Sequence, residues 1–272
     1  MISVIMPAFN AERYIGNAIA SVLAQDHRDL ELLVVDNNST DGTSAVVRSF
    51  NDDRVRLLHQ PRQGVSAARN KALEQMRGQF FCFMDADDAM PAGSISARFH
   101  ELLADPGISF VDGTVQVTDA HMSTIVAEWR PTYRGVPYAP LLQLSSSCFF
   151  ATTWLIRRVP GREYHFDERL THAEDLLFLI SIARDGRYTY TDNPVLKYRK
   201  GHTSAMNDLG GLHRGYRGLV SAVPNLPDPP EQRVVDAMWQ KIKRIMWRSY
   251  LKRAQPLNAL KVRLEHRPAP FA

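Results

Sequence analysis

The sequence predicts an α/β protein in which a mostly parallel sheet carries helices on both faces. Over residues 2–104, short apolar segments of strand length alternate with segments whose apolar residues recur at helical spacing. The strand segments are mostly apolar, which is typical of parallel strands buried on both faces. With 44% apolar and 23% charged residues, the 272-residue chain has the composition of a globular protein. Its length suits one large domain, or a domain with an appendage.

The first half is predicted to follow a β-α-β-α-β-α-β pattern. We expect its strands at residues 2–6, 30–35, 55–59 and 80–84. Pro7 should end the first strand, and Asn10 should cap the helix that follows. Ser66 should cap the third helix and Gly78 should end it. Because the connections are short, the carboxyl ends of these strands should share one edge of the sheet, where ligands bind in such folds.

Three aspartates, Asp85, Asp87 and Asp88, directly follow the fourth strand. Burying three like charges together is costly unless a counter-charge is present. A divalent cation between the carboxylates would remove this cost, and oxygen ligands suit Mg²⁺ and Mn²⁺. Asp85 and Asp87 would share a face if the strand continued through them. The alternative is an Asp-rich turn in front of a helix that Pro91 opens.

Asp36 ends the second strand and should approach Asp85 at the same sheet edge. The sequence contains neither G-x-G-x-x-G after the first strand nor G-x-x-x-x-G-K-[ST]. It therefore argues against a dinucleotide cofactor and against a P-loop ATPase. A nucleoside diphosphate bound at this edge would need a metal to neutralise its phosphates, which strengthens the metal hypothesis for Asp85 and Asp87.

The pattern changes in the second half. We expect strands at residues 109–118, 123–129, 148–156, 188–191 and 195–198, the first two as a hairpin. Glu174 and Asp175 fall in the first turn of an apolar helix. They are either acids that favour the helix macrodipole or a general base beside a cleft. Arg199 and His202 lie in a cationic loop that suits a diphosphate, with His202 also able to bind a metal; the alternative is an exposed basic loop.

The C-terminal part is basic. Residues 231–272 contain ten Lys and Arg against three Asp and Glu, whereas the whole chain has a net charge of +4. Four prolines in residues 224–230 predict a stiff linker, and an amphipathic helix with Trp239 and Trp247 follows. Its apolar stripe has three alternative partners: an anionic membrane surface, the domain itself, or a second subunit of a homodimer. Nucleic acid is disfavoured, because no recognised fold or aromatic platform accompanies the charge.

Several features point to the cytoplasm. Cys82 and Cys148 lie in apolar runs and are expected to be core thiols, which suits a reducing compartment. Pro7 and Asn10 interrupt the N-terminal apolar run too early for a secretory signal. No run approaches the ~18 apolar residues that indicate a membrane-spanning helix. We therefore expect a cytoplasmic protein, with peripheral binding to the inner membrane face as the alternative through the basic helix.

Four segments carry a family resemblance: SVIMPAFN (3–10), VVDNNSTDGT (34–43), GVSAARN (64–70) and MDADD (84–88). The Glu174-Asp175 pair and YRKGHTS (198–204) match the same family more loosely. In this order the segments resemble the family 2 glycosyltransferases of the GT-A fold, an inverting, bacterial polysaccharide-biosynthesis type. The resemblance covers residues 2 to about 205 and leaves the tail beyond Leu209 uncovered. One departure is Asn37, where many members carry a second Asp.

The resemblance implies transfer of a sugar from a nucleoside-diphosphate sugar, usually a UDP-sugar, with Mn²⁺ or Mg²⁺. It implies Asp175 as the catalytic base, with Glu174 as the other candidate. The implied metal ligands are Asp85, Asp87 and His202. The positions that match the nucleotide-sugar site of the family are Pro7, Ala8, Asn10, Asp36, Arg69, Asp85, Ala86, Asp87, Arg199 and His202.

The predicted organisation is a GT-A domain over residues 1–205 and a basic helical extension over 206–272. Within the domain, residues 1–104 should bind the nucleotide sugar and residues 105–205 the acceptor, which is a glycan or a polyprenyl-linked oligosaccharide. Two alternatives remain at this point. A nucleotidyltransferase would share the sheet and the acidic metal site, and a sugar-nucleotide-binding component of a polysaccharide assembly complex would bind without catalysis.

Overall fold

The computed structural model describes residues 1–201 and 208–272, which form one mixed sheet flanked by helices. The strands are β1 (Ile2–Ala8), β2 (Leu30–Asp36), β3 (Val55–His59), β4 (Phe80–Phe83), β5 (Ile108–Thr118), β6 (Ile125–Trp129), β7 (Leu155–Arg157) and β8 (Arg187–Arg199). The helices are α1 (Glu12–Leu23), α2 (Thr43–Arg48), α3 (Val65–Gln75), α4 (Ser94–Ala104), α5 (Tyr138–Leu142), α6 (Glu174–Ile182), α7 (Leu209–Ala222), α8 (Gln232–Lys252) and α9 (Pro256–Leu264). The strand order is β3-β2-β1-β4-β7-β5-β6, with β8 paired to β5.

The first four strands are parallel and adjacent, which confirms the fold class predicted from the sequence. The expectation that Pro7 ends β1 is wrong, because β1 continues to Ala8 beside β2. On its other side β1 pairs with β4 only as far as Ile5. Pro7 therefore lies beyond the β4 ladder, where the N–H group that proline lacks is not needed for pairing.

The predicted helix caps are also wrong. Helix α1 begins after Ala11. The N–H of Ala11 donates to Oγ1 of Thr43, the first residue of α2, at 2.8 Å, and the N–H of Glu12 donates to Oδ2 of Asp41 at 3.1 Å. Helix α3 begins at Val65 directly after Gly64, whose φ of 134° is unfavourable for other residues. It ends at Gln75, before Gly78. The partners at the start of α1 are about 30 positions away and leave no local pattern, and α3 starts without any side-chain cap.

The second half of the sheet is built around β5. The predicted hairpin is confirmed as an antiparallel pair of β5 and β6. The strand expected at 148–156 is reduced to β7, which lies antiparallel between β4 and β5. The two strands expected at 188–191 and 195–198 are one continuous strand, β8, which runs parallel to β5 with register shifts around Gly113. These shifts let β8 pass Pro194 without ending.

Helix α8 packs on the main domain. Its buried residues are Val235, Met238, Trp239, Ile242, Met246 and Tyr250, and they join one core with α3, α6, α7 and the sheet. Of the three partners considered for its apolar stripe, the structure therefore shows the domain itself. Helices from both sides of residue 205 share this core, and the division at that residue stays a prediction. Among the described residues, no helix combines the length and the apolar character needed to cross a membrane.

Candidate active site

A turn after β4 gathers three carboxylates at the carboxyl edge of the sheet. The strand ends at Phe83, and the backbone N–H of Asp88 donates to the carbonyl oxygen of Asp85 at 3.2 Å. Asp85, Asp87 and Asp88 each offer a carboxylate oxygen, and these oxygens lie within 4.8 Å of one another. The expectation that Asp85 and Asp87 share the face of a continuing strand is wrong, because the turn brings them together instead.

The three carboxylates of this turn repel one another. Burial and the nearby carboxylates of Asp87 and Asp85 raise the pKa of Asp88 well above its ordinary value. The donor set is made of oxygen atoms alone, which suits Mg²⁺ or Mn²⁺. The residues therefore fit the divalent ion that the resemblance implies. His202, the third predicted ligand, and the loop around it lie outside the described residues.

Arg199, at the end of β8, holds the acidic turn in place. Its backbone N–H donates to Asp88 Oδ1 at 2.8 Å, and its Nε donates to the carbonyl oxygen of Asp87 at 2.7 Å. Its Nη1 donates to the carbonyl oxygen of Ala120 at 2.6 Å, and the guanidinium lies 4.6 Å from the centre of the Tyr14 ring. The Arg199 guanidinium is therefore occupied by contacts within the protein. Its contact with a diphosphate stays a prediction.

Arg69 on α3 links the acidic turn to the start of α6. Its Nη2 donates to Asp85 Oδ1 at 3.1 Å and its Nη1 donates to Glu174 Oε1 at 2.9 Å. The guanidinium is buried and lies 5.2 Å from the centre of the Phe166 ring. Burial alone would lower the pKa of Arg69, but the carboxylates of Asp85, Glu174 and Asp175 raise it above its ordinary value. Arg69 thus joins the predicted donor side and the predicted base into one site.

Asp175 lies in the first turn of α6, as the sequence predicts. The preceding Ala173 has a φ of 59°, a left-handed conformation that is uncommon for alanine and turns the chain into the helix. Asp175 Oδ1 accepts the backbone N–H of Leu176 at 2.7 Å. Burial and the neighbouring charge of Glu174 raise the pKa of Asp175 to about 7, although Arg69 acts in the opposite direction. A carboxyl group with this pKa is suited to general base catalysis near neutral pH.

Tyr216 on α7 is a site residue that the sequence did not indicate. Burial, and the nearby charge of Asp175, raise the pKa of Tyr216. Its helix follows the segment that resembles the family, so no motif marked it. Helix α7 therefore forms part of the wall beside Asp175.

The loops after β1 and β2 are tied to each other. The backbone N–H of Asn10 donates to Ser39 Oγ at 3.0 Å, and Asn10 Oδ1 accepts the N–H of Thr40 at 2.8 Å. Ala8 is paired in register with Asp36. Burial would raise the pKa of Asp36, but hydrogen bonds from Ser39 and Ser44 outweigh it and hold the pKa below its ordinary value. Asp36 is therefore a fixed, ionised acceptor at the sheet edge.

Asn37 explains the departure from the family pattern. Its Nδ2 donates to the carbonyl oxygens of Gln60 and Arg62, at 3.1 and 2.7 Å. Its Oδ1 accepts the N–H of Gly64 at 2.7 Å. Only an amide can donate twice and accept once here, and the bonds hold the loop before α3 against β2.

Phe9 is a second residue that the predicted set omits. It lies between Ala8 and Asn10 at the carboxyl end of β1, and 51% of its surface is exposed. An aromatic residue next to a polar loop at the end of a strand could have been predicted from the sequence as a candidate for ligand contact. Pro7 and Ala86 are close to this edge but expose little of their side chains.

Comparison with known proteins agrees with this geometry. The model of glycosyl transferase family 2 matches residues 3–164. The glucosyltransferase WfgD of Escherichia coli, described as UDP-Glc:alpha-D-GlcNAc-diphosphoundecaprenol beta-1,3-glucosyltransferase, is 31% identical over 231 residues, which cover 83% of this chain and 87% of that protein. A GalNAc(5)-diNAcBac-PP-undecaprenol beta-1,3-glucosyltransferase of Campylobacter jejuni is 37% identical over 116 residues, 41% of this chain and 37% of that protein.

Solved structures show the same fold. S. aureus TarS 1–349 in complex with UDP-GlcNAc has a TM-score of 0.68 at 20% identity, over 95% of this chain and 79% of that one. The mannosyltransferase PcManGT from Pyrobaculum calidifontis, in complex with GDP-Man and Mn²⁺, has a TM-score of 0.65 at 19% identity, over 96% and 73%. These likenesses support the predicted GT-A fold. Because the family model spans more than half of the sequence, this chain belongs to glycosyl transferase family 2.

Proposed function

We propose that this glycosyltransferase moves a sugar, with inversion, from a UDP-sugar to a hydroxyl group of a polyprenyl-diphosphate-linked glycan. The observation that carries the proposal is the Arg69 bridge, because it joins Asp85 of the acidic turn to Glu174, the neighbour of Asp175. A donor diphosphate at the turn and an acceptor at Asp175 would then meet within one site. The name of the E. coli relative supports the UDP donor and the lipid-linked acceptor.

On the donor side, the nucleotide would lie along the carboxyl ends of β1 and β2. The ionised Asp36 can accept a hydrogen bond from an N–H group of the base, and the exposed ring of Phe9 can stack on the base. Asp85, Asp87 and Asp88 would hold Mn²⁺ or Mg²⁺. When bound, such a cation neutralises the charge that develops on the leaving diphosphate.

On the acceptor side, the Asp175 carboxylate would take the proton of the acceptor hydroxyl as its oxygen attacks the anomeric carbon. The new glycosidic bond forms while the bond from that carbon to the diphosphate oxygen breaks, and UDP leaves with the electron pair. Arg69 keeps the pKa of Asp175 from rising further, and Tyr216 forms part of the wall beside it. Attack from the side opposite the leaving group accounts for the proposed inversion.

The acceptor would place the reaction at a membrane. A polyprenyl diphosphate is held in the lipid bilayer, whereas nucleotide sugars are water-soluble. We therefore propose that the protein works at the inner face of the membrane in surface polysaccharide synthesis. The names of the E. coli and C. jejuni relatives, both acting on undecaprenyl-linked substrates, support this acceptor class.

The test is UDP release and glycan transfer with UDP-glucose, Mn²⁺ and a synthetic polyprenyl-diphosphate-GlcNAc acceptor. Asp175→Asn should lower transfer by about 10²–10⁴-fold while the affinity for UDP stays unchanged. Asp185→Asn, an exposed carboxylate just after α6, is the matched control and should transfer at the original rate. Retained transfer in Asp175→Asn, or loss of UDP affinity with the rate per bound donor intact, would contradict the assignment of the base. UDP binding with neither transfer nor slow hydrolysis would indicate a non-catalytic component.

A further inference from the structure

Helix α9 is apolar on two opposite faces. Its inner face packs on α8 through Ala259 and Val262, which are both buried. Its outer face carries Leu257, Leu260 and Leu264, whose exposed fractions are 75%, 54% and 70%. Because these residues are three and four positions apart, they lie in one row along the helix. We call this row the leucine ridge.

The leucine ridge is not explained by folding. Single exposed leucines are common on protein surfaces, but three in a row along one helix form a continuous apolar strip. Leu251, near the end of α8, is also 44% exposed. The inner face of α9 already meets the packing needs of this helix, so the outer face is available for a partner.

The charge around the leucine ridge indicates the kind of partner. Residues 237–264 contain eight Lys and Arg and no Asp or Glu. Lys261 is four positions after Leu257, and Arg263 is three after Leu260, so both flank the ridge. Lys252, Lys261 and Arg263 are exposed, and none of them has an ion pair with any residue that the structure describes.

We propose that α9 binds an anionic lipid surface, with the leucine ridge in the interface and the flanking cations on lipid phosphates. Apolar side chains bordered by Lys and Arg, on a helix too short to span a bilayer, match the chemistry of an interfacial helix. A second copy of the chain fits poorly, because a symmetric contact would place the same cations opposite each other. The proposal goes beyond the proposed function, since it concerns the surface that binds lipid and not the sugar that is transferred.

The lipid surface is α9 and not α8, for which a membrane was one of three partners that the sequence left open. The apolar stripe of α8, including Trp239, is buried in the domain core. The exposed residues of α8 include the cations Arg244 and Arg248. Helix α8 therefore has no free apolar stripe to offer a membrane, and α9 supplies the apolar contact.

The experiment is flotation of the full chain with vesicles of phosphatidylcholine, with or without about 30% phosphatidylglycerol. We expect binding to the anionic vesicles only, and weaker binding at about 0.5 M salt. Leu257→Ser/Leu260→Ser/Leu264→Ser should lower the partition coefficient at least about tenfold. Lys261→Gln/Arg263→Gln should lower it roughly fivefold per cation removed. The control is Leu103→Ser/Ile125→Ser/Val159→Ser, which removes three exposed apolar side chains elsewhere and should leave flotation unchanged.

The variants are checked for folding by thermal unfolding and for an intact donor site by UDP affinity in solution. Flotation of the leucine-ridge variant equal to that of the original protein would overturn the proposal, as would equal binding to neutral and anionic vesicles. So would a dimer that becomes a monomer in this variant, because a second copy would then cover the ridge. UDP affinity separates the two proposals: if flotation fails while UDP binds and the sugar is transferred, only the membrane surface is wrong.

Discussion

Removal of the Arg69 guanidinium is the sharpest test of how this site is held together. In Arg69→Met the side chain keeps its approximate length and its apolar contacts with the Phe83 and Phe166 rings, but the charge and both hydrogen bonds are lost. Asp85 and Glu174 then face each other without a counter-charge. Glu174 is buried, so its carboxylate cannot recover the lost bond from water.

The expected loss of folding stability in Arg69→Met follows from the burial of the two carboxylates. Breaking a buried ion pair by removing one partner costs about 3–5 kcal/mol. The Asp85 side chain is 47% exposed, whereas the Glu174 side chain is 11% exposed, so water replaces part of the first contact and little of the second. We therefore expect a loss near the lower end, about 3 kcal/mol. A domain is stable by about 5–15 kcal/mol, so the variant should still fold at room temperature.

The assay is urea unfolding of four proteins: the original, Arg69→Met, Arg69→Lys and the double variant Arg69→Met/Glu174→Gln. Arg69→Lys cannot bind both carboxylates in the same geometry, so it should be less stable than the original protein. Because it keeps the positive charge, it should lose less stability than Arg69→Met. The double variant removes the unpaired buried charge and should recover at least about 1 kcal/mol of the loss. A second readout is the pH dependence of transfer. Arg69 lowers the pKa of Asp175, so its removal should move the acidic limb of the profile to higher pH.

Two results would refute this reasoning. A loss of stability below about 0.5 kcal/mol, the size of an ordinary surface substitution, would show that the Arg69 bridge does not stabilise the contact between α3 and α6. Equal losses in Arg69→Met and in the double variant would show that the cost comes from altered packing and not from an unpaired carboxylate.

The remaining predictions concern protonation, metal and donor binding. Since the pKa of Asp175 is raised to about 7, transfer should increase as the pH rises through neutrality. The free energy of unfolding should fall as the pH rises from about 4 to 7, because only the folded state holds the proton in this range. Asp175→Asn should abolish both pH dependences, which are measured by transfer rates and by urea unfolding. Asp87→Ala should weaken UDP binding only when Mn²⁺ is present, and calorimetry that shows the same loss in excess EDTA would assign the residue to the nucleotide instead of the metal. Phe9→Ala should weaken UDP binding by about 1–3 kcal/mol, with Leu103→Ala as the exposed apolar control; unchanged UDP affinity would exclude stacking.

The sequence was sufficient where structure is set by local patterns and insufficient where it is set by distant partners. Short, mostly apolar segments located the strands of the parallel half of the sheet, and the acids that follow β2 and β4 marked its carboxyl edge. The start of α1 could not be predicted, because the side chains that bind its N–H groups, Asp41 and Thr43, come from the start of α2 and the residue two before it. The two predicted strands around residue 194 are one, since pairing with β5 carries the backbone through the proline.

The candidate site shows the same division. The carboxylates were found because acidic residues at strand and helix ends are visible in the sequence. The bridging role of Arg69 was not, because its partners Glu174 and Asp85 are 105 and 16 positions away. Tyr216 lacked any motif, and its relation to Asp175 depends on how α7 packs beside α6.

The core that α8 shares with the sheet limits how segments can be exchanged between related glycosyltransferases. Shortening the chain before α8 would strip cover from the apolar residues of α6 and the strands beneath it, so the remaining piece would aggregate before its activity could be measured. A chimera meant to change acceptor choice must carry its own α7, α8 and α9, because this segment closes the hydrophobic interior and borders Asp175, the proposed base.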